Sequence, residues 1–312
     1  MAKRRLGRSD IHIEPFVLGT NAFGWTADEP ASVAVLDAFI AEGFSAIDTA
    51  DVYSRWVAGN DSESEKIIGR WMKARGNRDK VIIATKVGSD MGQGRKDLRA
   101  AWIEKAVEGS LRRLQTDYID LYQSHWPDAQ TPEEETLGAY DKLIKAGKVR
   151  AIGASNYDGK LLANALKLSK DKGLPRYQTI QNEFNLYSRD AYEGAVQDIA
   201  VSEGIGAITY YGLASGFLTG KYRSEADLAK SPRGDGVKQY LNARGYKLLA
   251  ALDSVSKRTG AALAEISVAW INAQPGIAAP IASATTVPQL ESLARGARLL
   301  LSAEDLKLLT SV

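Results

Sequence analysis

The chain has 312 residues, of which 45% are hydrophobic and 25% charged, which suits a globular protein and argues against disorder. Its formal net charge of +2 argues against a nucleic-acid partner or an anionic membrane partner. It contains no cysteine and only two histidines, His12 and His125, which excludes disulfides, thiolate metal sites and a zinc site built on several imidazoles.

The first residues do not resemble a signal peptide. Met1 to Asp10 is charged throughout and lacks the apolar core of a signal peptide, and the chain has no run of about 18 apolar residues. We therefore expect a cytoplasmic protein. Residues 4–14 are typical of a short hairpin, and we interpret its histidine, His12, as structural or surface-exposed.

Apolar strand patterns then alternate with helical patterns along the chain. In the first unit, Val33, Leu36 and Ile40 recur at helical spacing before Gly43, a residue typical of a helix C-terminus. Eight such units favour a closed (β/α)8 TIM barrel of the α/β class over an open sheet, and no linker divides residues 1–312 into more than one domain. We predict strands over residues 16–23, 45–48, 81–87, 118–125, 149–156, 179–184, 206–211 and 277–283.

Two segments give more specific signals. Residues 131–134 (TPEE) predict a capping box with proline in the first turn, for a helix that closes at Gly147. Between the seventh and eighth strands, the pattern predicts a long loop over residues 214–240 and two helices, one of them extra to the barrel repeat.

Four reactive side chains stand at or just beyond the ends of three successive strands. They are Asp48 and Tyr53 after the second strand, Lys86 in the third and His125 at the end of the fourth. Because polar residues at the carboxyl ends of barrel strands face the ligand, we expect them to meet in one pocket. A tyrosine can act as a general acid when an ammonium stabilises its phenolate and a carboxylate fixes that ammonium, while a histidine orients a carbonyl oxygen.

These segments resemble those of the aldo-keto reductase family, and the resemblance extends over essentially the whole chain. Residues 48–53 (DTADVY), 84–87 (ATKV) and 124–128 (SHWPD) are similar to the family's Asp, Tyr, Lys and His segments, in its order and spacing. The resemblance implies reduction of an aldehyde or ketone, including a sugar-like carbonyl compound, by a nicotinamide cofactor. Tyr53 would be the acid, Lys86 and Asp48 would tune it, and His125 would position the substrate.

The resemblance also implies a cofactor site. Ser155, Asn156 and Gln181 resemble the side chains that hold the carboxamide, and Tyr210 resembles the aromatic residue that stacks on the nicotinamide. Residues 213–222 (LASGFLTGKY) resemble the loop over the pyrophosphate, and a helix that starts at Thr286 would bind a phosphate through its free amides. The expected cofactor contacts are Thr20, Asp48, Ser155, Asn156, Gln181, Tyr210, Gly212, Leu213, Ser215, Gly216, Lys221, Ser283, Ala284, Thr285 and Gln289.

Some positions depart from the family pattern. Tyr211 and Gly212 stand where relatives often have Ser-Pro, and the basic residues that many NADP-preferring relatives carry near the eighth strand are replaced here. The corresponding positions are Ser283, Gln289, Ser292 and Leu293. The resemblance implies NADPH as the cofactor, and the use of NADH or of both cofactors is left open.

For the substrate site we expect Tyr53 and His125 together with three tryptophans near the loop mouths, Trp25, Trp56 and Trp126. The neighbouring Arg55 hints at a polar or anionic substrate. We expect a monomer. The alternatives are a nucleotide-binding, redox-sensing regulatory subunit that resembles potassium-channel β subunits, a sugar or polyol dehydrogenase running in reverse, and an isomerase with Lys86 as a Schiff base.

Overall fold

Eight parallel strands close into a barrel in the computed structural model, which describes residues 1–230 and 234–312. Each strand pairs with its neighbours in chain order, and the last strand closes the barrel against the first. The predicted (β/α)8 barrel and the N-terminal hairpin are therefore confirmed. The hairpin consists of β1 (Arg4–Arg5) and β2 (His12–Ile13), and the barrel consists of β3 (Val17–Gly19), β4 (Ala46–Asp48), β5 (Ile82–Val87), β6 (Ile119–Ser124), β7 (Val149–Ser155), β8 (Thr179–Gln181), β9 (Gly206–Thr209) and β10 (Ile277–Ala282).

Helices cover the outside of the barrel and follow its strands. They are α1 (Glu29–Ala41), α2 (Glu63–Arg75), α3 (Ala100–Leu114), α4 (Glu133–Lys145), α5 (Gly159–Lys172), α6 (Ala195–Glu203), α7 (Gly234–Val237), α8 (Ala243–Thr259), α9 (Leu263–Asn272), α10 (Val287–Arg298) and α11 (Ala303–Thr310), with 3-10 turns at Arg78–Lys80, Ala214–Thr219, Glu225–Lys230 and Lys238–Tyr240.

The barrel has an apolar lower end and a polar upper end. Leu6, Ile11 and Ile13 of the hairpin are buried in one cluster with residues near the strand starts, including Val17 of β3 and Ala46 of β4. This hairpin therefore closes the amino-terminal end of the barrel. The larger apolar cluster lies between the strands and the helices, so the polar side chains are left to the carboxyl ends of the strands.

One helix start differs from its prediction. Helix α4 begins at Glu133, its N-cap is Pro132, and no side chain caps it, so the predicted capping box is wrong. The Thr131 hydroxyl instead donates to the Asp128 carboxylate at 2.6 Å, and a charged acceptor makes the stronger hydrogen bond. Gly147 does follow the helix end, in the left-handed region at φ 70°.

The segment between β9 and β10 is long, as predicted, and carries α8 and α9, of which one is extra to the barrel repeat. The predicted loop over residues 214–240 contains short helical turns, and residues 231–233 of it lie outside the described residues. Within residues 1–230 and 234–312, no helix combines the length and the apolar character needed to cross a membrane.

Candidate active site

The register of three neighbouring strands brings the predicted catalytic residues together. Asp48 is the last residue of β4, and Lys86 on β5 lies opposite Gln123 on β6. His125 follows β6 directly, and its backbone amide donates to the Val87 carbonyl at 2.8 Å. Because these strands are parallel, all of their carboxyl ends reach the same end of the barrel.

Lys86 is the centre of the site. Its fully buried ammonium donates to Asp48 Oδ2 at 2.5 Å, to the Thr49 carbonyl at 2.9 Å and to the Tyr53 phenol oxygen at 3.1 Å. An ammonium has three donors, so this geometry uses all of them. The side chain is therefore fixed in place before any ligand binds.

The charges of this group depend on one another. Burial favours the neutral form of Lys86, but the Asp48 carboxylate and the Tyr53 phenol hold the pKa of the ammonium above its ordinary value. Burial raises the pKa of the Tyr53 phenol, and the Lys86 ammonium opposes only part of that rise. Tyr53 therefore keeps its proton at neutral pH, and Lys86 lowers the free-energy cost of giving it up.

A glutamine pair holds the other oxygen of Asp48. Gln181 and Gln123 donate to Asp48 Oδ1 at 2.9 and 3.2 Å, so this 2%-exposed carboxylate meets donors on both oxygens. Gly153 lies beside Gln123, and a larger residue at position 153 would overlap the Thr179 hydroxyl. Sequence reasoning missed Gln123, and its only signal was a polar residue two positions before His125 in a buried strand.

His125 lies next to the phenol of Tyr53, with the two ring centroids 5.9 Å apart. Its Nδ1 is 3.0 Å from the Ser89 hydroxyl, a partner that sequence reasoning also missed. Burial, together with the nearby cations Lys86 and Lys96, lowers the pKa of the imidazole well below its ordinary value. His125 is therefore neutral, and it can use its second ring nitrogen to orient an uncharged carbonyl group.

A buried acid lies beside this group, since the Asp51 amide donates to the Lys86 backbone carbonyl at 3.3 Å. Asp51 is 1% exposed, and neither of its carboxylate oxygens accepts a hydrogen bond from a side chain of the described residues. Burial and the neighbouring Glu65 carboxylate raise the pKa of Asp51 to about 8, while Arg113 and Lys86 offset part of the rise. At neutral pH this carboxyl is largely protonated in the folded protein.

The predicted nicotinamide contacts lie at the ends of β7, β8 and β9. Asn156 donates to the His125 carbonyl at 2.8 Å and accepts from the Tyr210 hydroxyl at 2.7 Å. It therefore links His125 to the predicted nicotinamide contacts. The Ser155 hydroxyl donates to the Gln181 backbone carbonyl at 2.7 Å. The side-chain Oε1 of Gln181 accepts no hydrogen bond from any described residue, which leaves an acceptor for the amide group of a carboxamide.

The predicted pyrophosphate segment follows β9 and has an unusual backbone. Ala214, Ser215 and Gly216 are successive residues at φ 47°, 56° and 97°. The amides of Ala214 and Gly216 donate to the Tyr211 and Leu213 carbonyls at 2.7 and 2.9 Å, so this backbone is a tight turn held by its own hydrogen bonds. Lys221 folds back towards it, since a side chain at Gly216 would lie 3.6 Å from the Lys221 ammonium. The segment starts at the buried Gly212 and the half-buried Leu213. Lys221 is exposed beside this turn, so its ammonium can pair with a diphosphate such as that of a dinucleotide cofactor.

The remaining predicted cofactor residues are largely engaged within the protein. Ser283 donates to the Asn21 side chain at 2.8 Å, and Thr285 donates through its amide and hydroxyl to Gln289 at 2.9 and 3.0 Å. Ala284 is buried. The Thr20 hydroxyl donates to the Asp48 carbonyl at 2.9 Å and is buried, so it serves to hold the strand end.

The three predicted tryptophans form a rim above the tetrad, the name used below for Asp48, Tyr53, Lys86 and His125. Trp56 packs edge-on against Trp25 at 5.7 Å and against Tyr53 at 6.3 Å. Trp126 stacks on His125 at 5.7 Å. Trp25 and Trp56 are 40% and 51% exposed, which leaves apolar surface for a ligand.

Comparisons with known proteins agree with this geometry. Residues 15–312 match the model of the Aldo/keto reductase family. "Aldo-keto reductase YhdN" of Bacillus subtilis is 35% identical over 93% of this chain and 87% of its own length, and "Uncharacterized oxidoreductase YrpG" of the same species is 33% identical over 98% and 94%. A rice protein described as "Probable voltage-gated potassium channel subunit beta" is 29% identical over 93% of this chain and 89% of its own length.

Proposed function

Since the chain belongs to the aldo/keto reductase family, we propose that it reduces an aldehyde or ketone to an alcohol with a nicotinamide cofactor and with Tyr53 as the proton donor. The observation that supports this best is the arrangement around Lys86, whose ammonium binds both Asp48 and the phenol of Tyr53. Tyr53 is partly exposed although its oxygen contacts a fully buried lysine, as a proton donor to a bound substrate must be.

Each residue has a part in the reaction. The neutral His125 donates a hydrogen bond to the carbonyl oxygen and orients it beside the Tyr53 phenol. A nicotinamide cofactor, held by Ser155, Asn156, Gln181 and Tyr210, would supply the hydride that the carbonyl carbon accepts. Tyr53 gives its O–H proton to the carbonyl oxygen, so the product leaves as an alcohol. Lys86 stabilises the phenolate that remains, and Asp48 keeps Lys86 charged and in position.

For the cofactor, we propose NADPH with substantial use of NADH. The choice of NADPH follows the family, and the tolerance of NADH follows from the side chains near α10. Ser292 donates to the Glu265 carboxylate at 3.0 Å, and Arg295 pairs with that same carboxylate at 2.9 Å. The start of α10 carries Gln289, which is bonded to Thr285, and Arg295 is paired, so among the described residues near this helix start no unpaired guanidinium is left to clamp a 2′-phosphate.

The remaining expectations join this proposal: one barrel domain over the chain, a cytoplasmic location, a monomeric state and no nucleic-acid partner. A second candidate function is a nucleotide-binding regulatory subunit. Its support is the likeness to the rice protein described as a potassium channel β subunit. The intact tetrad favours the reductase, because a sensor needs to bind nucleotide without needing turnover.

The deciding experiment follows NADPH and, separately, NADH oxidation with 4-nitrobenzaldehyde, for the wild-type protein and for Tyr53→Phe. Loss of the general acid should lower kcat by about 10²–10⁴-fold, since proton transfer by a placed side chain contributes that much. Nucleotide binding, followed by quenching of protein fluorescence, should persist in the variant. Wild-type protein that binds nucleotide yet reduces no member of a broad carbonyl panel would support the regulatory function instead.

A further inference from the structure

The segment between β5 and α3, residues 88–99, borders the mouth of the site. Ser89 contacts His125, and Arg55 donates to the Met91 carbonyl at 3.3 Å. The Asp90 carboxylate accepts from the amides of Gly92 and Gly94 at 2.8 and 3.0 Å, so the segment is held by its own hydrogen bonds. We call residues 88–99 the β5–α3 loop.

The charged side chains around this loop fall into two groups. Three arginines are paired: Arg55 with Asp61, Arg95 with Asp128 at 2.8 Å, and Arg99 with Asp97 at 2.5 Å. Lys96 differs from them, because no carboxylate of the described residues lies within 4.0 Å of its ammonium. The charge of Arg55, the residue in which the sequence hinted at an anionic substrate, is already balanced.

Lys96 is also connected to the reacting groups. Its ammonium lies 4.3 Å from the centre of the Trp126 ring. The Trp126 ring in turn stacks on the His125 ring, 5.7 Å away and only 11° from parallel. Ammonium, indole and imidazole thus follow one another from the surface to the Tyr53 phenol. A ligand that contacted Tyr53 and His125 with one end would have Trp126 and then the exposed Lys96 ammonium beside its other end.

We infer that Lys96 is a specificity-determining residue that binds a carboxylate on the substrate, at the end opposite the reacting carbonyl group. This inference rests on the proposed reductase function and deepens it by naming the substrate class, which is an aldehyde or ketone with an apolar middle and an anionic end. The exposed indoles Trp25 and Trp56 offer the apolar contact, and Lys96 supplies the unpaired charge.

The test compares 4-carboxybenzaldehyde with its neutral methyl ester, so the two substrates share one carbonyl and one ring. The value of kcat/KM is measured for both, and the acid-to-ester ratio is the readout. Because ion pairs at exposed sites are weak, Lys96→Met should lower that ratio by about two- to fivefold, mainly through KM of the acid. Lys96→Arg, which keeps the charge, should retain most of the ratio, and added salt should lower the wild-type ratio.

Lys105→Met is the matched control. Lys105 also holds its ammonium over a tryptophan ring, 5.4 Å from Trp102, but it does so on helix α3 outside the barrel. Its ratio should equal that of the wild type. An acid-to-ester ratio that Lys96→Met leaves unchanged would overturn the inference, and so would a parallel fall for both substrates, which would indicate that Lys96 only supports Trp126.

A binding measurement separates this inference from the proposed function. 4-(Hydroxymethyl)benzoate, the expected product, is titrated against the wild type and Lys96→Met, with tryptophan fluorescence as the readout. Weaker binding to Lys96→Met supports the inference even where turnover is slow. If neither aldehyde is reduced with NADPH or NADH, the proposed function fails. If the ester is reduced but the acid-to-ester ratio is the same for the wild type and Lys96→Met, only the inference fails.

Discussion

The two sides of the barrel mouth are built differently. On the predicted catalytic side, Lys86 and Asp48 are buried on strands, and every ammonium donor and both carboxylate oxygens have hydrogen-bond partners. On the predicted cofactor side, Lys221 is exposed and Ser215 is partly exposed, on a segment with left-handed backbone after β9. In the proposed site, the proton donor Tyr53 therefore depends on a few strong, mutually dependent contacts, whereas the cofactor would depend on many weak contacts that can vary separately.

Lys86→Met tests how strongly the contacts on the predicted catalytic side depend on one another, and it should have the largest effect. The substitution removes the ammonium that stabilises the Tyr53 phenolate and leaves the buried Asp48 without its ion-pair partner. We expect kcat to fall by about 10²–10⁴-fold and the free energy of unfolding to fall by about 3 kcal/mol or more. Steady-state kinetics and urea denaturation measure the two losses. A decrease in kcat of less than tenfold would show that the tyrosine does not depend on this lysine.

Asp51→Asn tests whether the catalytic side also contains an acid without a partner. The pKa of Asp51 is about 8 in the folded protein and should be near its ordinary value of 3.8 in the unfolded chain. Between these two values the folded protein retains a proton that the unfolded chain has lost, so wild-type stability falls as the pH rises. The variant lacks this dependence. The free energy of unfolding of the variant should therefore rise relative to that of the wild type from pH 5 to pH 8, by at most about 1.4 kcal/mol per pH unit.

Asp97→Asn is the control for that measurement. The Arg99 guanidinium lowers the pKa of Asp97, so its contribution is fully present above the ordinary carboxyl range and is lost only as the pH falls through lower values. Between pH 5 and pH 8 the difference between this variant and the wild type should stay constant. A constant difference for Asp51→Asn as well would mean that Asp51 is ionised in the folded protein.

The contrast between the two sides also explains which features could be predicted from the sequence. Strand periodicity and the polar residues at strand ends were enough for the barrel and for the position of Lys86, because both depend on short segments. Gln123 and Ser89 were missed because their roles depend on contacts with Asp48 and His125 across the barrel, which local patterns do not encode. The capping box failed for a related reason, since Asp128 competes for the Thr131 hydroxyl.

The sequence also could not show that the charge of Lys96 is unpaired. Arg55 and Lys96 are both cations in the sequence, and only the positions of Asp61 and Trp126 distinguish a paired cation from an unpaired one. Sequence alone could therefore suggest an anionic substrate without identifying the residue that binds it. Predictions about the cofactor side face this difficulty throughout, because its contacts come from loops whose backbone conformation decides what each side chain reaches.

The smallest expected effect, from Lys221→Met, completes the comparison of the two lysines. The Lys221 ammonium is exposed and lies 5.0 Å from the centre of the Tyr222 ring, so it has little to lose on substitution except its charge. We expect the dissociation constant of NADPH to rise by about two- to fivefold, as for other exposed ion pairs, and kcat to change much less. Lys221→Arg should restore the affinity, and fluorescence titration at low and high salt should show the difference shrinking as salt screens the charge. A fall in kcat as large as that of Lys86→Met would contradict this prediction. It would mean that the position of the cofactor, and not only its affinity, depends on Lys221, because a misplaced cofactor could not reach the substrate with its hydride.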